Sequence, residues 1–455
     1  MTSTYFQQAT PERLLAQYPV GDAFLKGPAS LSRDELRNLQ ELRFSAVIAR
    51  AWEVSFYRRR WSSVGLQPGD IKGVDDLSKI PTFSKADLME SVEAYPPFGD
   101  FHGLDDKYPN TVLHTTSGTT GIPQPLFFGP FDREVQNALL ARAYILQGMR
   151  RGDVAHSVYG YGMVNGGHYV REAVTHFTDA IYVPAGTGRD TPTTQQIEMM
   201  HRYGATAILG FADYIKRLAD AAHEAGIKPG RDIPLRMISG HIGQEDKAAI
   251  SEAWGGAEVY DWYGVGDTGI IAGEGPSHKG LHVWEDAHIV EILDPETGQS
   301  LPDGHAGNIC ATPLFKTGIY PIVRFDTKDV STLKGPAPET GINFKLMMGF
   351  QGRSDNMVKL RGINVYPTAI GTLLDQHQAT TGEYICRLTR QGSRDELTVI
   401  VEAREKGQSL NQEIEDILKK GLGVSVKVEV VSPGDTASET QVESRQKPIR
   451  LIDLR

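Results

Sequence analysis

From residue 131 to 330 the chain alternates helical stretches, such as 132–147 and 212–224, with short apolar runs: AIYVPA at 180–185, ATAILGF at 205–211 and EVYDWYG at 258–264. That alternation predicts βαβ units, since parallel strands need a crossover between them and are covered by helices on both faces. An α/β fold with mostly parallel sheets is expected. At 455 residues the chain is too long for one compact core. Upstream, the capping box of Ser32 and Glu35 opens an amphipathic helix through Leu36, Leu39, Val47 and Ala51 to the basic FYRRRW at 56–61. Ser84 and Asp87 cap a second, short helix. The turn-rich DPETGQSLPDG at 294–304 predicts a hairpin between strands HIVEIL and GNICATP. Beyond Gly352 the order becomes a strand pair (MVKL, INVY), a helix opened by Pro367, strands EYICRLT and LTVIVEA, a helix capped by Ser409 and closed by Gly421, and strand VSVKVEVV. This predicts a small α+β unit, with domains at 1–352 and 353–455.

Composition excludes several classes. Hydrophobic residues at 40% and charged residues at 23% are ordinary soluble usage, neither disordered nor fibrous. Two cysteines, Cys310 and Cys386, cannot make a disulfide framework or a four-cysteine zinc site, and fit a reducing compartment. A cytoplasmic location is expected. The first twenty residues lack a basic and then apolar leader, and no run approaches the ~18 apolar residues of a membrane span. A net charge of −10 argues against a nucleic-acid partner, whose phosphates need a basic face.

The stretch HTTSGTTGIPQP, 114–125, is rich in hydroxyls and backbone breakers. It is not a Walker A loop, because Ile-Pro-Gln follows Gly121 where Lys-Ser/Thr is needed. Its ingredients still suit phosphate: glycines let backbone N–H groups approach closely, and Thr115, Thr116, Ser117, Thr119 and Thr120 offer hydroxyl donors.

TTSGTTGIP resembles the phosphate loop of the adenylate-forming superfamily of acyl-CoA synthetases, adenylation domains and luciferases, and four further motifs follow in that superfamily's order. DWYGVGDTG (261–269) resembles the adenine motif, VRFDTKDV (323–330) the ribose-binding segment, GRSDNMVKLRGINVYP (352–367) the hinge, and RQKPIRLIDLR (445–455) the segment of the catalytic lysine. Within the superfamily the chain is most similar to phenylacetate-CoA ligases, through FYRRRW, GDVAHSVYGYGMVNGG, KGLHVWED and the short C-terminal domain. The resemblance implies a large multi-sheet α/β N-terminal domain with a small mobile α+β lid. It implies two-step chemistry: an aryl carboxylate attacks the α-phosphate of Mg-ATP, giving an acyl-adenylate and pyrophosphate, and the coenzyme A thiol then displaces AMP.

By that resemblance Thr116, Ser117, Gly118, Thr119, Thr120 and Gly121 grip phosphates, and Asp267 is the Mg²⁺-associated acid, an oxygen donor suited to a hard cation. Gly240, His241, Asp261, Trp262, Tyr263 and Gly264 belong to the adenine region, with Tyr263 stacking on the base. Asp329 accepts from the ribose hydroxyls, and Arg353 lies near the nucleotide. Lys447 stabilises charge developing at the α-phosphate, and Lys85 senses phosphate. Asp355 is the hinge, and Arg361 and Gly362 line the coenzyme A tunnel. VYGYGMVNGGHY (158–169) interleaves rings and glycines, as a slot for a flat ring would, with Tyr161, Gly162, His168 and Phe211 as acyl contacts.

Three departures stand out. Gln124 occupies the position where the superfamily commonly has a lysine, Gly240-His241-Ile242 replaces Gly-Ala-Glu, and Gly266-Asp267 replaces Ser-Glu, shortening the metal acid by one methylene. The structural zinc of some relatives is not expected, because Cys310 stands alone in its domain. Two other functions are open: adenylation with transfer to a carrier protein or an amine, and a non-catalytic nucleotide-binding relative. A homodimer is compatible with the family.

Overall fold

The computed structural model describes residues 4–103, 110–116, 123–361, 363–375, 377–391, 394–405, 407–442 and 448–455. The chain forms two compact units, Met1–Ile242 with Lys247–Gly349, and Gly243–Asp246 with Phe350–Arg455.

In the first unit the N-terminal amphipathic run is two helices, Arg33–Glu53 and Ser55–Ser63, with Val54 extended between them. The Ser32 side chain accepts from the Glu35 N–H, as the capping box predicts. Breaking at Val54 lets Phe44, Val47 and Ala51 meet Phe56, Tyr57 and Trp61 in one apolar cluster. The large sheet runs, in hydrogen-bonded order, His288–Leu293, Ala306–Pro313, Phe325–Lys334, Leu346–Met347, Leu281–Val283, Gly269–Glu274, Glu258–Val265, Met237–His241, Ala207–Phe211, Val154–Ser157 and Ile181–Pro184. The last five pair in parallel, with helices between them, as the alternation requires. His288–Leu293 and Ala306–Pro313 pair antiparallel around the 294–304 turn.

After Val154–Ser157 the chain adds Ile181–Pro184 on one side and Ala207–Phe211 on the other. Such a reversal opens a crevice beyond the carboxyl ends of the strands, where α/β sheets bind ligands. Helix Pro130–Leu146 is buried along nearly its whole length. Its charged members are tolerated because they are paired: Arg133 donates twice to Glu172, both at 2.6 Å, and Arg142 donates to both oxygens of Asp286 at 2.9 and 3.0 Å.

The second unit carries the antiparallel hairpin Val358–Leu360 and Ile363–Val365. Its sheet is ordered Lys427–Val431, Arg394–Ala403, Thr380–Gln391 and Leu451–Asp453. Helix Gln408–Leu422 starts after Gly407 and ends at left-handed Gly423, not at Ser409 and Gly421 as its sequence suggests. Gly421 serves packing instead: a Cβ there would lie 2.4 Å from Leu373. The strand Leu451–Asp453 carries no periodic signal of its own; it joins in parallel through Cys386–Leu388.

Candidate active site

The carboxyl ends of the parallel strands collect aromatic rings. Tyr159 follows Val154–Ser157, Phe211 ends its strand, His241 ends the next, and Trp262 lies in Glu258–Val265. The His241 imidazole stacks on Phe211 with centroids 4.7 Å apart and lies 4.1 Å from Trp262. Tyr159 holds the other edge, 2.9 Å from His241 Nδ1, while donating to the Gly210 carbonyl at 3.2 Å. Gly240 is dictated by closeness, since a Cβ would sit 1.7 Å from the Gly210 oxygen. The Ile242 N–H donates to Asp261 at 2.9 Å, tying the 240–242 turn to the next strand. Tyr161, Gly162 and His168 gather separately. Tyr161 shares a 2.8 Å hydrogen bond with Tyr182, and His168 Nε2 donates to the Gly162 carbonyl at 2.9 Å, a structural use of that nitrogen.

The two expected nucleotide residues meet. Tyr263 OH donates to Asp329 Oδ2 at 2.8 Å, across 66 residues of sequence. Asp329 in turn is set by the Thr327 hydroxyl, which accepts its N–H at 3.1 Å and donates to the Ile309 carbonyl at 2.9 Å. A strand irregularity between Tyr263 and Gly264 breaks the regular pleat beside this contact; a Cβ on Gly264 would lie 2.3 Å from the Gly269 oxygen.

Lys85 and Thr116 are brought together from 31 residues apart. The Lys85 ammonium donates to the Thr116 hydroxyl at 3.3 Å, and Thr116 and Gln124 are joined by backbone and hydroxyl bonds of 3.1 and 3.2 Å. These join the two described ends of the 114–125 stretch. Ser117, Gly118, Thr119, Thr120, Gly121, Gly362 and Lys447 lie outside the described residues. In the second unit Arg353 grips Asp355 by two hydrogen bonds of 2.8 and 2.6 Å, and Arg361 adopts a left-handed φ of 51°.

Asp267 has neighbours that no local motif signals. Its Oδ1 accepts from Gln124 Nε2 at 2.6 Å and from Tyr320 OH at 2.7 Å. Gln124 and Asp267 are 0% and 4% exposed. Lys316, also buried, lays its ammonium 4.7 Å from the Tyr320 ring centroid and 5.4 Å from that of Phe128. Burial pushes the Lys316 pKa down to about 8, opposed by the charges of Asp132 and Asp267; burial likewise pushes Asp132 up to about 7, opposed chiefly by Lys316. Whether this region suits a magnesium ion can be tested on its oxygens. Gln124 Oε1 is buried without a hydrogen-bond partner, a costly condition for a carbonyl. It is a hard oxygen donor beside a carboxylate, which fits that ion. Among the described residues no group of three or more His, Cys, Asp or Glu could hold a metal alone.

Comparison with known proteins places the chain among CoA ligases. A family model described as the AMP-binding enzyme C-terminal domain matches residues 362–455. The phenylacetate-coenzyme A ligase of Aromatoleum evansii is 31% identical, covering 88% of this chain and 91% of that protein. The phenylacetate-coenzyme A ligase of Thermus thermophilus is 30% identical over 94% and 98%. Among solved structures, 2-hydroxyisobutyryl-CoA ligase in the postadenylation state with 2-HIB-AMP superposes with a TM-score of 0.83 at 26% identity, covering 94% of this chain and 91% of that one. The same ligase with 2-HIB-AMP and CoA in the thioesterification state gives 0.69 at 28%, with the same coverage.

Proposed function

This chain belongs to the phenylacetate-CoA ligase family of adenylate-forming enzymes, and from that premise we propose that it activates an aryl carboxylate with ATP and passes the acyl group to coenzyme A. It is an AMP-forming acid–thiol ligase. The carboxylate oxygen bonds to the α-phosphorus as pyrophosphate leaves. The thiol sulfur then bonds to the acyl carbon, its proton is lost to solvent, and AMP leaves. The observation that carries the nucleotide assignment is the 2.8 Å bond between Tyr263 and Asp329. A base stacked on Tyr263 has its ribose beside a fixed carboxylate acceptor.

Roles follow from charge. A carboxylate and a triphosphate repel, so donors must be in place before they meet. Lys85, held on Thr116, and the loop from Thr116 to Gly121 bind the phosphates. Asp267 would hold magnesium, which when bound would shield the phosphate charge. Lys447 reaches the α-phosphate during adenylation and Arg353 approaches the nucleotide. Asp355 is the hinge on which the lid exchanges Lys447 for the Arg361–Gly362 segment that admits coenzyme A. Gly240, His241, Asp261, Trp262 and Gly264 shape the adenine side, and Tyr161, Gly162, His168 and Phe211 the acyl side, the two meeting where Phe211 stacks on His241. Among the described residues no helix is long and apolar enough to cross a membrane. Two buried free cysteines support a reducing, cytoplasmic setting.

The test is pyrophosphate release with Mg-ATP across aryl and alkyl carboxylates, with and without coenzyme A, beside Lys447→Ala. An aromatic acid should drive release, coenzyme A should yield the thioester, and the variant should lose adenylation by roughly 10²–10³-fold while still transferring from supplied acyl-adenylate. Release without thioester formation in the wild type would move the acceptor to a carrier protein or an amine.

A further inference from the structure

Three observations converge on Gln124. Its amide cannot be turned around, because only Nε2, not a carbonyl oxygen, can face the Asp267 carboxylate at 2.6 Å. That leaves Oε1 as the amide's other atom, buried and without a partner. Asp267 spends Oδ1 on two donors, Gln124 and Tyr320, and among the described residues Oδ2 accepts no hydrogen bond. One carboxylate oxygen and one amide oxygen are thus left uncommitted by the same contact.

We propose that Gln124 Oε1 is a ligand, beside Asp267 Oδ2, for the divalent cation that arrives with the nucleotide, so that Gln124 is a metal-binding residue of this enzyme. The proposal rests on the ligase reading above. Both departures from the superfamily pattern then make sense together. Asp267 is one methylene shorter than the usual acid, so it withdraws from the cation. A long neutral amide at 124, in place of a lysine, adds an oxygen where an ammonium would repel the ion. Two oxygens fall well short of the six that magnesium prefers, and the buried Lys316 ammonium close by disfavours a bare cation. The remaining ligands must be phosphate oxygens and water. The site is therefore filled by the metal–nucleotide complex and not by the metal alone.

The test measures bound Mn²⁺ by electron paramagnetic resonance, first with Mn²⁺ alone and then with α,β-methylene-ATP, which cannot be split at the reacting bond. Nucleotide binding without metal is measured alongside by calorimetry, and folding by thermal melts. Wild type should leave Mn²⁺ free until the analogue is added. Gln124→Lys keeps a donor for Asp267 but loses the oxygen; it should weaken Mn²⁺ in the ternary complex by roughly 10–100-fold, as loss of a supporting metal contact does. Gln124→Leu loses the same oxygen without adding a repelling charge and should weaken it in the same direction, by no more than Gln124→Lys. Gln124→Glu supplies a second carboxylate and should bind Mn²⁺ measurably without nucleotide. Ternary Mn²⁺ affinity within two-fold of wild type in folded Gln124→Lys and Gln124→Leu would overturn the proposal. So would tight Mn²⁺ binding by wild type alone. Failure of wild type to bind the analogue at all would instead overturn the ligase reading on which this rests.

Discussion

Asp329→Asn is the substitution that most directly probes the nucleotide site. Asp329 is 7% exposed, and Tyr263 OH and Thr327 hold it on two sides, so the asparagine fits with little change of shape. The amide replaces one acceptor oxygen with a donor, which can satisfy only one of two ribose hydroxyls. A hydrogen bond to a charged group contributes about 1.5–3 kcal/mol, so ATP should bind roughly 10- to 150-fold more weakly. Calorimetric titration with AMP and ATP reads this directly, and pyrophosphate exchange places the same factor in KM for ATP. The decisive comparison uses 2′-deoxy- and 3′-deoxy-ATP against both proteins. Wild type should discriminate against at least one deoxynucleotide by that factor, and Asp329→Asn should have lost the discrimination, because both changes remove the same bond. Tyr263→Phe removes the donor that fixes Oδ2, with an expected cost of about 1 kcal/mol, or roughly five-fold. If Asp329→Asn binds ATP as wild type does, or keeps full deoxynucleotide discrimination, the carboxylate does not touch the ribose.

Asp355→Pro should spare one half-reaction and abolish the other, since it freezes φ at the proposed hinge; Asp355→Ala, which removes the two bonds to Arg353 and leaves φ free, serves as the control, and unchanged rates for both half-reactions in the proline variant would reject the hinge. Acid should destabilise the first unit. Burial holds His282 and His288 at about 4, below the ordinary 6.5, so between these values the unfolded chain binds protons that the folded chain refuses; stability is full above 6.5 and is lost toward pH 4, at up to about 1.4 kcal/mol per pH unit for each histidine. His282→Leu should flatten the dependence of the melting temperature on pH between 7 and 5, and an unchanged slope would discount that histidine. Asp286→Ala strands the Arg142 guanidinium, whose side chain is 0% exposed, and should cost roughly 3–5 kcal/mol in urea unfolding; a loss under about 1 kcal/mol would mean that the pair is solvated.

Local regularities in the chain carried over well where one segment determines its own outcome. The helix expected at 212–224 is Ala212–Glu224, and the capping boxes at Ser32 and Ser84 are both formed. The failures have tertiary causes. The early amphipathic run breaks at Val54 because two separate helices can turn their rings toward each other. Gly421 resembles a helix stop but lies inside the helix, where a Cβ would press on the Leu373 side chain. The charges along 130–146 look like a solvated face and are instead buried against Glu172 and Asp286, 39 and 144 residues away.

The same distinction governs the site. A motif is legible when neighbours in sequence are neighbours in space, as for Tyr263 and Asp267 on one strand and its turn. It says nothing of partners supplied from elsewhere. Gln124 reaches Asp267 across 143 residues and Tyr320 reaches it across 53, while Lys316 reads in the sequence as an ordinary surface lysine. One sequence signal did mark the junction: positions 124 and 267 both depart from the superfamily pattern. Two departures in separate motifs look like two independent losses until the 2.6 Å contact joins them. A shortened acid beside an unchanged lysine would leave the cation with fewer oxygens and a nearby positive charge. A long amide beside an unchanged glutamate would crowd the space that the longer acid fills. Each substitution is unfavourable alone and compatible with the other, so reverting either one singly, by Gln124→Lys or Asp267→Glu, should impair metal–nucleotide binding more than the double reversion does.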